Sequence, residues 1–205
     1  MPIAELDLTV THAEPPADVL ALIGEAERTI EAFIESRLDD PIIGFVPADF
    51  RAVYPVLRML AQAHLAPGNA FCEWGSGFGV VALLASTLGF DACGIEIEPD
   101  LVEASRDLAA RLGLETEFFE GSFIPEGGAV LADTLNEFAW LDVTGPSAYE
   151  EMELDPDDFD VIFAYPWPGE EGVVVDLFEH YVAPGALLVT YQGVEDVHVR
   201  RKVRR

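Results

Sequence analysis

From residue 70 onward the chain alternates short apolar runs with segments of helical period, and this rhythm restricts the fold more than any other feature. Residues 70–73 form an apolar run that leads into Gly75, and 78–88 has the spacing of a helix. Residues 92–96 form a second run. Residues 99–112 form a second helix, with Pro99 at its first position and Leu101, Ala104, Ser105, Leu108 and Leu112 on one face. Proline suits that position because its missing N–H would have no helical partner there. Residues 116–120 make a third strand. Strands joined through helices pair in parallel by right-handed crossovers, so the expected class is α/β with a doubly wound, mostly parallel sheet. A strand over 159–165, a helix over 171–182 and a strand over 186–191 continue the pattern. The tail after Gln192 has room for one more strand.

The flanking segments read differently. Residues 1–15 look like an extended arm, followed by a helix over 17–38 that places Leu20, Ile23, Ile30, Phe33, Ile34 and Leu38 on one side. A second helix is expected from Phe50 to His64, with Asp49 as N-cap and Pro55 in its early turns. The expected organisation is therefore an arm and helices over 1–66 packing on a core of 67–205. Residues 121–158 interrupt the core. Within them 129–141 has helical character, while 142–158, rich in proline, glycine and acid, reads as an exposed insertion or lid.

Composition narrows the function. The 205 residues hold 11 Lys+Arg against 38 Asp+Glu, a formal net charge of −27, and half are hydrophobic. That apolar supply excludes intrinsic disorder for most of the chain. The charge argues against nucleic acid as a partner, since phosphates need a basic face. Five of the eleven basic groups, Arg200, Arg201, Lys202, Arg204 and Arg205, crowd the last six positions, as a solvated end, a contact to the acidic body or a partner-binding arm. Two cysteines, Cys72 and Cys93, exclude a disulfide scaffold, and His12, His64, His180 and His198 have no metal spacing. No secretory leader and no apolar run of about 18 residues is visible, so neither membrane insertion nor export is expected, and the location reads as cytoplasmic.

Three local patterns carry chemistry. The first is Glu73-Trp74-Gly75-Ser76-Gly77-Phe78-Gly79, an acid at a strand end followed by a glycine triplet and a helix. Glycine lets a ligand approach the backbone, and the helix start offers free N–H groups. The spacing is not the G-x-G-x-x-G of dinucleotide enzymes. A tight strand–helix turn without a ligand is the plain alternative. The second is Gly94-Ile95-Glu96-Ile97-Glu98-Pro99. A carboxylate at the end of the next strand, about 20 residues on, can accept both hydroxyls of a ribose. Glu98 is placed as an N-cap or dipole partner for the helix that follows.

Together these two patterns resemble the class I S-adenosylmethionine-dependent methyltransferases, over residues 67–192. The resemblance implies a Rossmann-like methyltransferase fold with N-terminal helices and a short C-terminal half. It also implies S-adenosyl-L-methionine as cofactor. Its binding residues would be Glu73, Gly75, Ser76, Gly77 and Gly79 of the loop, Glu96 and Ile97 at the ribose, and Ser122 and Phe123 near the adenine. Tyr165 would approach it from the next strand. The family often has Asp where Ser122 stands.

The third pattern is Asp160-Val161-Ile162-Phe163-Ala164-Tyr165-Pro166-Trp167-Pro168. In the family this strand end faces the transferable methyl group. Amino-methylating members acting on nucleobases often carry Asn/Asp-Pro-Pro-aromatic there. Ala164 occupies the polar position, which disfavours a base methylase. Tyr165 and Trp167 are the candidate catalytic residues, able to wall in a cationic or flat acceptor; a rigid loop packed on the core is the plain alternative. The run from Phe45-Val46-Pro47 to the glycine loop also resembles the small group that includes ATP-synthase-c-subunit lysine methyltransferases. That implies a protein amine as acceptor, with a small molecule as the other possibility. The rival functions are a non-catalytic S-adenosylmethionine-binding sensor or scaffold, and an NAD-dependent oxidoreductase. The sequence leaves oligomeric state open, and no metal is expected.

Overall fold

The computed structural model describes residues 3–10, 13–134, 141, 145–193 and 196–203. Its elements are β1 (Ile3–Glu5), α1 (Ala17–Ser36), α2 (Phe50–Gln62), β2 (Ala70–Trp74), α3 (Val80–Thr87), β3 (Asp91–Glu96), α4 (Pro99–Leu112), β4 (Glu117–Glu120), α5 (Tyr149–Met152), β5 (Val161–Ala164), α6 (Glu171–Tyr181), β6 (Leu187–Tyr191) and β7 (Val197–Lys202). The seven strands form one sheet in the order β1-β7-β6-β5-β2-β3-β4. β4, β3, β2, β5 and β6 run parallel, while β7 and β1 close one edge antiparallel. The expected α/β class with a mostly parallel sheet holds.

The N-terminal helices are needed by the core. α3 reads Val-Val-Ala-Leu-Leu-Ala-Ser-Thr, and Val80 to Ala85 are all buried. A helix apolar on every side must be covered on every side. The sheet takes one face, and α1 and α2 take the outer one. α2 starts as expected: the Asp49 carboxylate accepts the N–H groups of Arg51 and Ala52, which are two of the four donors a helix start leaves unpaired.

The arm at the N-terminus is more than an extended segment. β1 pairs with β7 at the sheet edge, Ile3 opposite Lys202 and Glu5 opposite Arg200. Arg200 Nε lies 2.8 Å from the Glu5 carboxylate. Arg201 donates to the carbonyl of Leu65 at 2.7 Å, and Lys202, 3% exposed, donates to that of Val182. Three residues of the basic end are thus built into the sheet edge; Arg204 and Arg205 lie outside the described residues.

Residues 145–158 correct the reading of an exposed insertion. Ala148, Tyr149, Met152 and Pro156 are buried. The Ser122 N–H donates to Pro146 O at 2.7 Å and the Ala148 N–H to Ser122 O at 3.0 Å, so the segment is stitched to the end of β4. Its acids face outward while these four apolar side chains seal one face of the sheet. The helical expectation over 129–141 becomes a 3-10 helix over Gly128–Thr134. Residues 135–140 and 142–144 lie outside the described residues.

Candidate functional site

The strand order reverses around β2. The chain leaves β2 toward β3 and β4, then returns on the other side as β5. A crevice must open at the carboxyl ends of β2, β3 and β5, the usual ligand position in such sheets. A cavity of about 380 Å³ lies there, within the roughly 300–1,000 Å³ typical of small-molecule sites.

Its floor is the glycine loop. Gly75, Gly77 and Gly79 all take positive φ, at 66°, 54° and 66°. A side chain at Gly75 would meet nothing within 4 Å among the described residues, so the loop presents bare backbone to the cavity. Ser76 Oγ is buried beside it and has no hydrogen-bond partner among the described residues. Gly79 has a different job from the one expected. It does not line the cavity, and a Cβ there would lie 2.0 Å from the Phe118 ring. Its bareness admits Phe118 beneath the start of α3.

Two buried carboxylates frame the loop. Glu73 is 5% exposed and accepts the Ala82 N–H at 2.8 Å. Burial pushes its pKa up from 4.5 to about 8, against the lowering effect of the Ala82 amide, and the neighbouring Glu96 adds to the rise. Glu96 Oε2 accepts the Gly77 N–H at 2.7 Å, and Oε1 accepts those of Ile97 and Glu98 at 2.8 and 3.0 Å. Burial raises the Glu96 pKa, while these amides pull it down. Glu98 stands at the N-cap of α4 but makes no side-chain cap.

Ser122 and Phe123 form the next wall. The Phe123 ring stacks on Trp74 at 5.1 Å and 8°. The Ser122 hydroxyl accepts the Ile124 N–H at 3.2 Å. Opposite them stand Tyr165 and Trp167. Tyr165 packs edge-on against Tyr191 at 4.7 Å, and burial, then Tyr191, raises its hydroxyl pKa. Of the ten residues expected to bind cofactor, nine line this one cavity, as does Trp167; Gly79 is the exception.

Three contributors were not singled out from the sequence as site residues. Phe45 lies over the glycine loop, its ring 2.8 Å from where a Gly77 Cβ would stand. The Trp167 indole N–H donates to the Gly44 carbonyl at 2.9 Å, tying this strap to the loop after β5. Glu170, 5% exposed, accepts the Trp167 N–H at 3.2 Å and the Leu141 N–H at 3.0 Å. The proline and aromatic density of 41–50 was the available signal for the strap. Glu170 gave none, standing beside Glu171 as one more acid.

Among the described residues Glu73, Glu96, Glu98 and Glu170 line the cavity, and no Lys, Arg or His does. Such a cavity favours cationic occupants. Cys72 and Cys93 stand opposite each other on β2 and β3, and burial pushes the Cys72 thiol well up. Among the described residues no base is hydrogen-bonded to either thiol to make a nucleophile. Among the described residues no group of three or more His, Cys, Asp or Glu is placed to hold a metal, and no helix is long and apolar enough to cross a membrane.

No family model matches the chain. It is 34% identical over 83 residues to the ribosomal protein L11 methyltransferase of Thermus thermophilus, which is 40% of this chain and 32% of that protein. It is 35% identical over 100 residues to the ATP synthase c-subunit lysine N-methyltransferase of Rattus norvegicus, 47% of this chain and 44% of that one. The chain thus spans less than half the length of these curated relatives. Among solved structures, a methyltransferase from Geobacter sulfurreducens superposes with a TM-score of 0.54 at 14% identity, covering 93% of this chain and 92% of that one. An RNA methyltransferase from Salinibacter ruber in complex with S-adenosyl-L-homocysteine gives 0.52 at 22% identity, covering 78% and 95%. The chain has the Rossmann-like fold of the class I methyltransferases. The named relatives and neighbours are methyltransferases, which leaves the oxidoreductase reading without support. The RNA enzyme among them leaves the expected exclusion of nucleic acid resting on charge alone.

Proposed function

We propose that the chain is an S-adenosylmethionine-dependent methyltransferase whose acceptor is an amine, on a protein in preference to a small molecule. One observation carries this reading: the switch-point cavity joins a bare glycine loop to a buried strand-end carboxylate, and every charged group lining it among the described residues is acidic. The residues fit the cofactor. Gly75 offers an open cradle, Ser76 Oγ lacks a partner among the described residues, and Glu96 keeps lone-pair capacity beyond its three amides. Bound there, the cofactor supplies a methyl group on an activated sulfonium.

The protein's own part is then to bind and to aim. Glu73 and Glu96 sit where a cationic, ribose-bearing ligand needs them. Trp74 and Phe123 give a flat apolar wall for a base. Tyr165 and Trp167 edge the remaining space, where aromatic faces attract an ammonium by roughly 0.5–2 kcal/mol each. Holding a neutral amine in line with the methyl carbon supplies most of the rate in such a transfer. The names of two relatives, a ribosomal-protein and a lysine methyltransferase, support a protein acceptor. Two free thiols suit a reducing compartment, in keeping with a cytoplasmic enzyme.

Calorimetry with S-adenosylhomocysteine and with NAD tests the cofactor. We expect binding of the first and none of the second. Methyl-labelled S-adenosylmethionine, offered with lysine-rich peptides and with free amines, tests the reaction. Label on the peptides supports the reading. Tight binding without transfer to any amine would leave the sensor or scaffold function instead.

A further inference from the structure

Several features were candidates for a second role. Lys202 is the chain's single lysine, but it is buried and spent on the Val182 carbonyl. The Cys72 thiol is buried and Cys93 is half-buried beside it. The surface beside the cavity goes further. Among the described residues, six large hydrophobic side chains are exposed, and four of them are near one another in sequence: Ile34, Leu38, Ile43 and Val46, at 43, 76, 65 and 47%. Ile43 and Val46 line the mouth of the cavity. Ile34 borders a separate groove of about 720 Å³ between α1 and the start of α2. Ile30, Pro47, Ala48 and Phe50 line both spaces, so the groove adjoins the cavity across these four residues.

The groove's rim is charged in one sense. Among the described residues Glu27, Glu31, Glu35 and Asp49 border it, with Arg51 as the one cation. Arg51 is held by Glu27 at 3.1 Å, and Asp49 is occupied in capping α2. Glu31 and Glu35 stand one helical turn apart on α1, flanking Ile34. An apolar floor with an acidic margin repeats, on the surface, the character of the cavity it joins.

We propose that this groove docks a basic, amphipathic segment of the acceptor protein, with apolar side chains on Ile34, Pro47 and Ala48 and cations against Glu31 and Glu35. The proposal deepens the amine-acceptor reading and rests on it. A segment lying here would deliver a neighbouring lysine past Ile43 and Val46 toward Tyr165. Charge complementarity selects this occupant: the chain carries −27 overall, so a second copy of it would bring like charge to the same rim.

The test uses a fluorescein-labelled amphipathic peptide of leucine and lysine, its scrambled isomer, and fluorescence anisotropy at low and high salt with S-adenosylhomocysteine present. The full chain is compared with Ile34→Ser and with the double variant Glu31→Gln/Glu35→Gln. All three positions are exposed, and the cofactor residues are untouched. We expect each variant, and the scrambled peptide, to bind at least about fivefold more weakly, with high salt erasing the effect of the glutamates but not of Ile34. Equal binding by wild type and variants, or by the two peptides, overturns the proposal. A wild-type dimer in ultracentrifugation that Ile34→Ser dissolves also overturns it and gives the face to a second copy. Calorimetric affinity for S-adenosylhomocysteine reports on the cofactor reading separately, so either idea can fail while the other stands.

Discussion

The Glu96 carboxylate accepts the N–H of Gly77 at 2.7 Å, tying the end of β3 to the centre of the glycine loop. The same carboxylate holds the amides of Ile97 and Glu98 through its other oxygen. One side chain therefore sets the loop and the turn after β3 together. A glutamine at this position has a single carbonyl oxygen. Either the Gly77 amide or the Ile97 and Glu98 amides would then face an NH₂ group. Glu96→Gln should weaken S-adenosylhomocysteine binding by at least about tenfold, from lost charge-assisted hydrogen bonds worth roughly 1.5–3 kcal/mol. Calorimetry on Glu96→Gln and Glu96→Ala checks this, and unchanged affinity in both would remove Glu96 from the site.

Gly79 and Gly77 should separate stability from binding. A Cβ at Gly79 would enter the Phe118 ring at 2.0 Å, in a backbone conformation with φ of +66°. Gly79→Ala is expected to lower stability by at least about 2 kcal/mol, roughly 4–8 °C in Tm for a chain of this size. Gly77→Val instead pushes on the Phe45 ring and distorts the loop that Glu96 holds. Its larger effect should appear in cofactor affinity. Thermal denaturation and calorimetry on the two variants distinguish the outcomes; the same ranking in both measurements would contradict this division.

Glu73 makes stability depend on pH. Its pKa rises from 4.5 to about 8 on folding, chiefly through burial. Between those values the folded chain holds a proton that the unfolded chain has released. Stability should thus be highest near pH 5 and fall toward pH 8, by up to about 1.4 kcal/mol per pH unit for one such group. Glu96, also raised by burial, steepens the trend. Glu73→Gln keeps an acceptor for the Ala82 amide and should flatten the curve. A cationic ligand favours the ionised carboxylate, so affinity for S-adenosylmethionine should rise with pH and binding should release protons at pH 7. Calorimetry in buffers of different ionisation enthalpy measures that release, and proton uptake would reverse the assignment.

The parts of this molecule that could be read from sequence are those with local patterns. Alternating runs gave the parallel strands, and Glu73 to Gly79 with Glu96 gave the cavity floor. What escaped depends on contacts between distant residues. Trp167 bonds to Gly44 across 123 positions, and nothing near either residue announces the pairing. Glu170 resembles its exposed neighbour Glu171 until folding brings the Leu141 and Trp167 amides to its carboxylate. Gly79 fits a cofactor-binding triplet equally well, and only the position of Phe118 assigns it to packing. In 145–158, prolines and acids outnumber the four buried apolar side chains, so an average over the segment reads as exposed.

Tyr165 and Trp167 stand two residues apart on the loop after β5 and should fail differently. The Tyr165 phenol, ordinarily near 10 and pushed higher by burial, is protonated at neutral pH, so it is not a base. It can accept an N–H from an acceptor amine and leave the nitrogen lone pair aimed at the methyl group. Tyr165→Phe should keep S-adenosylhomocysteine affinity within about twofold while lowering turnover, since a single neutral hydrogen bond is worth about 0.5–1.5 kcal/mol. Trp167→Phe removes the indole donor to Gly44 and frees the strap that carries Phe45 over the glycine loop. It should weaken S-adenosylhomocysteine binding by about two- to tenfold and speed amide exchange across residues 42–46. Calorimetry, labelled-methyl transfer and hydrogen exchange on the pair decide the matter. Equal losses of affinity in both variants would make Tyr165 a packing residue rather than one that orients the acceptor.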